Sequence, residues 1–321
     1  MESNNTSVSE LRHDLVSGDW VVMAKGRANR PEKLIKCPFC FPAIKEQKII
    51  SQSEDIIVIE NKFPAFRPQS ELDKHQHGPF EVMNGVGFHE VIISKEHSTQ
   101  LYKADLFALI ETYQKCYLAL MNRKFVDYIS IFHNHGELAG ASLEHPHSQL
   151  IASPVIDPDI HRSLDGSEDY FRKHRQCVHC VMIDWERKEK TRILYENSDF
   201  IVFVPFVSRV AYEIRIFPKE HKPYFERINN SEKKNLANAL QQSLKKLYFA
   251  LDNPAYNFFL HTAPCDGKTY DHYHWHFEIL PKTSIWAGFE LGAGIEICSV
   301  TPEQAAEKLS KDGVTPPQQK T

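Results

Sequence analysis

The segments EHPHSQLIAS (residues 144–153) and HYHWHFEIL (272–280) share one pattern: histidines on alternate positions running into apolar residues. In a strand, residues two apart project from the same face. His145, His147 and Gln149 would then form one polar row, and His272, His274, His276 and Glu278 another. What precedes each row is also repeated. The first half runs CPFC (Cys37, Cys40), the strand-like DIIVIENKFPAF, FHEVIISKEH ending at His97, the amphipathic LFALIETYQKCYLALMN and DYISIFHNH. The second runs CVHC (Cys177, Cys180), DFIVFVPFV, YEIRIFPKEH ending at His221, EKKNLANALQQSLKKLYFAL and YNFFLHTAP.

Six signals in the same order twice constrain the fold more than any propensity does. β-Branched and aromatic runs give strands, and apolar residues at three- and four-residue spacing give helices. The expectation is an α+β protein of two similar units with antiparallel sheets and flanking helices. We place the units at residues 10–155 and 170–310, joined by the polar, proline- and glycine-punctuated SPVIDPDIHRSLDGSEDYFRKH. Residues 1–9 and a tail at 311–321 hold too little apolar material to pack and are expected to be disordered.

Composition narrows the class of function. The 321-residue chain is 42% hydrophobic and 25% charged, with a net charge of -4 spread along it, which leaves no footprint for nucleic acid. No segment approaches the ~20 apolar residues of a membrane span, and MESNNTSVSE has no leader-like apolar stretch. A cytoplasmic location is expected, where the seven cysteines stay reduced. A CxxC pair there suits metal binding or redox work better than a structural disulfide.

Thiolates two residues apart can grip one tetrahedral ion, and imidazole completes such a site. The repeat pairs Cys37, Cys40, His97 and His145 as one set, and Cys177, Cys180, His221 and His274 as the other. One or two zinc ions are expected, structural because all four positions are filled by protein. Buried thiols are the plainer reading of a lone CxxC, and His276 or Glu278 are competing ligands in the second set. Cys116, Cys265 and Cys298 are assigned to cores or loops.

With His145 on a metal, His147 is left as the reactive member of its row. A neutral imidazole can attack phosphorus with one nitrogen when the other N–H is held by an acceptor. NHGELAGAS (134–142) precedes it, and Gly136, Gly140 and Ser142 can bring donors close to phosphate oxygens. An ordinary turn between strands accounts for that segment equally.

These residues resemble galactose-1-phosphate uridylyltransferase and its relatives in the histidine-triad superfamily, over nearly the whole chain. HPHSQ is similar to the family's histidine-x-histidine-x-glutamine signature. The resemblance implies tandem histidine-triad-like units and a homodimer. It also implies that His147 takes up the nucleotidyl group and Gln149 holds its phosphoryl oxygen. By the same resemblance Asn134 and Ser142 contact phosphates, Arg27 and Arg30 of GRANRP lie near the nucleotide, and Asn61 and Phe63 of ENKFPAF bind the nucleoside. Phe289 and Glu290 of AGFELG resemble the segment that meets the hexose. A surface-facing arginine pair is the alternative for Arg27 and Arg30.

The implied activity is nucleotidyl exchange between a nucleotide sugar and a hexose 1-phosphate, UDP-glucose with galactose 1-phosphate, through two displacements at His147. A phosphorylase using inorganic phosphate, and a non-catalytic zinc-stabilised nucleotide-binding protein, are the alternatives. His276 matches His147 in the second unit. The first is preferred because it follows the glycine and serine loop and leads into Gln149, whereas Glu278 would repel phosphate.

Overall fold

The computed structural model describes residues 9–29, 36–98 and 100–311. The first half contributes β1 (Glu10–His13), β2 (Trp20–Met23), β3 (Ile49–Gln52), β4 (Ile56–Glu60), β5 (Lys74–His77), β6 (Phe80–Asn84), β7 (Phe88–Ser94), α1 (Leu106–Leu120), β8 (Tyr128–His135) and β9 (His147–Ser153). Two helices follow, α2 (Pro158–His174) and α3 (Val178–Glu189). Then come β10 (Ile193–Glu196), β11 (Phe200–Phe203), β12 (Ile214–Pro218), α4 (Asn230–Ala250), β13 (Tyr256–His261), β14 (His276–Pro281), α5 (Gly288–Ala293) and α6 (Pro302–Lys311).

Ten strands form one sheet in the order β10-β11-β12-β14-β13-β8-β9-β7-β4-β3. The order is palindromic in the repeat: each half lays down its first two strands, then the KEH strand, the histidine-row strand and the strand after the helix. The halves meet where β8 pairs antiparallel with β13, Tyr256 opposite His135 and Leu260 opposite Ile131. A smaller sheet, β2-β1-β6-β5, belongs to the first half alone. The antiparallel α+β expectation holds.

One face of the large sheet is covered by the two repeat helices. Leu109, Ile110, Tyr113 and Tyr117 of α1 and Leu236, Leu240, Leu244 and Leu247 of α4 share a core with Ile92, Leu150, Ile216 and Phe277. Each such side chain, fully buried, contributes about 1.5–3 kcal/mol relative to exposure. Both helices start at side-chain caps: Asp105 accepts from the backbone N–H of Ala108, and Asn229 forms a capping box with Glu232. The opposite face carries the histidine rows. Over the first half it is lined by Ile57, Ile59, Val91 and Ile93 against Ile44, and over the second by Ile201, Phe203 and Phe217 against Ile183 of α3.

Two expectations change. The segment read as a polar linker is mostly α2, because Pro158 stands at its first turn, where proline starts a helix rather than breaking it. Its buried Ile160, Leu164 and Ser167 recur at four and three residues, and i,i+4 pairs such as Arg172 with Glu168 line its outer face. Secondly, the strands begin at His147 and His276, so His145 and His274 sit just ahead of them. Pro146, with no N–H, cannot donate to a ladder. Of the segments expected to be disordered, residues 1–8 and 312–321 lie outside the described residues, and Lys311 closes α6. Among the described residues no helix is long and apolar enough to cross a membrane.

Candidate active site

The two Cys/His sets each converge. In both, the four donor atoms lie within 4.8 Å of one another. Cys40 Sγ is 2.9 Å from His97 Nδ1 and 3.5 Å from His145 Nδ1. Cys180 Sγ is 3.4 Å from His221 Nδ1 and 3.5 Å from His274 Nδ1. The far nitrogens are fixed by carbonyl oxygens: His145 Nε2 donates to Ser94 O at 2.6 Å and His274 Nε2 to Pro218 O at 2.9 Å. Each proton on Nε2 leaves Nδ1 as the donor to a metal. Two thiolates and two imidazoles so arranged fit a tetrahedral, protein-closed zinc site. His276 and Glu278 belong to a separate cluster with His261.

That separate cluster is an ionic network. Arg209 reaches Glu278 at 2.9 Å and Arg215 reaches it at 3.1 Å. His276 Nε2 lies 3.3 Å from the same carboxylate. Burial opposes ionisation of Glu278, yet the Arg215 guanidinium and its other neighbours hold its carboxyl well below the usual range. The His276 ring, 1% exposed, is stacked on Phe217 at 4.6 Å and flanked by His179 at 5.3 Å.

His147 sits differently. Its Nδ1–H donates to the His145 carbonyl oxygen at 2.8 Å, which leaves Nε2 as the basic nitrogen. Its ring meets the edge of Phe39 at 5.2 Å and lines a cavity of about 260 Å³. Gln149, Ser142, Arg27, Asn61 and Phe63 line the same cavity. Arg27 Nη1 donates to Phe63 O at 3.3 Å, tying the segments around residues 27 and 63 together. Gly136 and Gly140 have φ of +81° and +80°, so the turn that delivers Ser142 needs glycine there. At Gly136 a Cβ would also fall 2.7 Å from that of Ala255. A larger cavity of about 590 Å³ follows the same sheet face past Ile151 and Ser153 to His261, and neither His147 nor His276 lines it.

Other expected residues fall elsewhere. Asn134 does not line the His147 cavity, and its Oδ1 accepts from Asn257 of β13 at 2.8 Å. Phe289 and Glu290 stand on α5, with Phe289 54% exposed and Glu290 accepting from the Ala287 N–H, and neither lines it. Arg30 lies outside the described residues. Conversely, no sequence pattern points to His89, whose Nε2 is 3.0 Å from Gln149 Oε1. Nothing in its spacing separates it from a core histidine. Phe39, inside CPFC, was hidden by the cysteines that flank it.

A duplicated α+β fold, with a His-x-His-x-Gln segment opening a strand beside a cavity, is the architecture of the histidine-triad superfamily. Comparison with known proteins agrees. Residues 85–314 match the family described as "Domain of unknown function (DUF4921)". The chain is 32% identical to ADP-glucose phosphorylase of Arabidopsis thaliana, over 95% of this chain and 93% of the relative. It is 29% identical to galactose-1-phosphate uridylyltransferase of Thermotoga maritima, over 95% and 99%. The crystal structure of the Arabidopsis ADP-glucose phosphorylase with bound ADP-glucose superposes with a TM-score of 0.77 at 31% identity, covering 94% of this chain and 99% of that one. The chain belongs to the galactose-1-phosphate uridylyltransferase family, in which the ADP-glucose phosphorylases are included.

Proposed function

We propose that this protein is a nucleotidyltransferase that takes a nucleoside monophosphate from a nucleotide sugar onto His147 and passes it to a phosphate acceptor. The observation that carries this reading is the Nδ1–H of His147 held by a backbone carbonyl while its ring faces the cavity. Nε2 attacks the α-phosphorus, the bond to the sugar 1-phosphate oxygen breaks, and the sugar 1-phosphate leaves. The ring then carries positive charge, which the His145 carbonyl oxygen stabilises through Nδ1–H. An oxygen of the acceptor phosphate attacks the same phosphorus, the P–N bond breaks, and the imidazole returns neutral.

In this reading Gln149 and Ser142 donate to the phosphoryl oxygens, and Arg27 and Arg30 neutralise the diphosphate. Asn61 and Phe63 take the nucleoside. The zinc sets hold the segment ahead of each histidine strand and supply no chemistry. Phe289 and Glu290 reach a sugar only if another chain brings them there, which fits a homodimer. A glutamine at 149 is a poor acid or base, so transfer between phosphates is favoured over hydrolysis.

The acceptor is a hexose 1-phosphate, with UDP-glucose and galactose 1-phosphate as the pair. A second reading, phosphorolysis of ADP-glucose, is favoured by the 32% identity to an ADP-glucose phosphorylase. One assay separates them: UDP-glucose or ADP-glucose, labelled at the α-phosphorus, is offered with galactose 1-phosphate or inorganic phosphate. Label moving from UDP-glucose to UDP-galactose supports the first reading. Phosphate-dependent ADP from ADP-glucose supports the second, and no labelled protein with either donor rejects both.

A further inference from the structure

We propose that His89 is a positioning residue that decides which end of the Gln149 carboxamide faces the cavity, an inference that rests on the functional reading above. His89 lies on β7 and is 3% exposed. Its Nδ1 is 3.0 Å from the backbone nitrogen of Ala65, a group that can only donate. Nδ1 therefore accepts, and the ring proton resides on Nε2. Gln149 Oε1 and Asn61 Nδ2 each lie 3.0 Å from Nε2. Asn61 Oδ1 already accepts from the Phe63 N–H at 2.8 Å, so the end of Asn61 facing His89 is a donor. Gln149 is left as the acceptor for Nε2–H.

With Oε1 held, the NH₂ end of Gln149 is the one left for the cavity that the residue lines. The choice matters because the two ends of an amide are nearly equal in size and opposite in polarity. NH₂ donates to a phosphoryl oxygen, whereas a reversed amide sets one oxygen against another.

The second half shows the same anchor put to the opposite use. Glu213 stands eight residues before His221, as His89 stands eight before His97. It accepts from the backbone N–H of Arg209 at 2.6 Å, matching the Ala65 N–H to His89. Glu213 binds Arg215, and Arg215 points its charge at Glu278, the counterpart of Gln149. One backbone donor thus fixes a neutral amide in the first half and a carboxylate in the second.

The test has two arms. In protein labelled with ¹⁵N in its histidine rings, and with His89→Gln for assignment, the His89 proton is expected on Nε2. A proton on Nδ1 overturns the proposal, whatever activity the protein has. The second arm is a double-mutant cycle on the rate of adduct formation from α-labelled UDP-glucose and ADP-glucose, using His89→Glu and Gln149→Ala. Glutamate is accommodated at the matching place in the second half and only accepts, so it draws in the NH₂ end of Gln149 and turns the oxygen to the cavity. Adduct formation is expected to slow by about 10- to 100-fold. In the Gln149→Ala background the same change is expected to add little. His89→Gln keeps a donor and is expected to retain most of the rate. Losses that multiply in the double variant overturn the proposal, because His89 would then act on the scaffold and not through Gln149. If neither donor labels the wild-type protein, it is the functional reading that fails, and the ring spectrum still decides the assignment of His89.

Discussion

The two halves share a strand order, a Cys₂His₂ set and a histidine whose Nδ1–H is held by the carbonyl two residues back, His147 by His145 and His276 by His274. They differ in what stands opposite Nε2. At His147 there is a cavity with a carboxamide and a serine, and at His276 there is a buried carboxylate bound to two guanidinium groups. The tautomer is thus a property of the duplicated backbone, and access of the ring to a cavity is a property of a few side chains. Phe217 stacks on His276 at 4.6 Å where the first half sets Ile93 beside His147, while His179 and Phe39 stand at matching distances, 5.3 and 5.2 Å, from the two rings.

The sharpest way to break this comparison is to remove each histidine. His147→Ala is expected to lower the rate of nucleotidyl-protein formation by about 10⁴-fold or more, with His276→Ala leaving the rate in its original order of magnitude. Labelled protein on a denaturing gel reads both, and the reverse result would exchange the roles of the halves. Metal content comes next. Two zinc ions per chain are expected by elemental analysis, falling to one in Cys37→Ser and in Cys177→Ser. With Cys37 half-buried where Cys177 is buried, the first ion should yield to a chelator sooner.

Stability should split the other way from activity. Glu278→Ala removes the carboxylate that Arg209 and Arg215 share, leaving buried Arg215 with Glu213 alone, and is expected to cost about 3–5 kcal/mol in urea unfolding. Gln149→Ala is expected to cost about 1 kcal/mol while removing most of the transfer rate. Equal costs would mean that the second network is not the structural one. The smallest effect concerns pH. Burial lowers His261 to about 3 and holds His133 well below the usual imidazole range. In the unfolded chain both take up protons near pH 6.5. Their contribution is therefore complete above about pH 6.5 and is lost as pH falls toward the lowered folded values. For His261 this amounts to about 2 kcal/mol by pH 5. His261→Gln should flatten the acid limb of the melting-temperature profile by that amount.

The duplicated order of elements was legible because strand and helix periodicities survive in both halves, and the meeting of each CxxC with its KEH histidine followed from the repeat. Helix α2 was not legible, because its apolar residues are sparse and its proline and glycine look like loop punctuation. The β8–β13 junction was not legible either, since either strand could equally have ended its own sheet. The ionic network around Glu278 depends on Arg209, Glu213 and Arg215, whose alternation in sequence looks like a solvated strand edge. The pairing of β12 with β14, which sets Arg215 opposite Glu278, is what gathers them into one network.

The seam between β8 and β13 also dictates how the polypeptide tolerates being cut. Severed between the halves, each fragment would present a long strand with its hydrogen-bonding groups open, an invitation to clump with other copies. Fragments made together would have a ready partner for that border, so complementation in one cell should succeed where mixing of separately purified pieces does not.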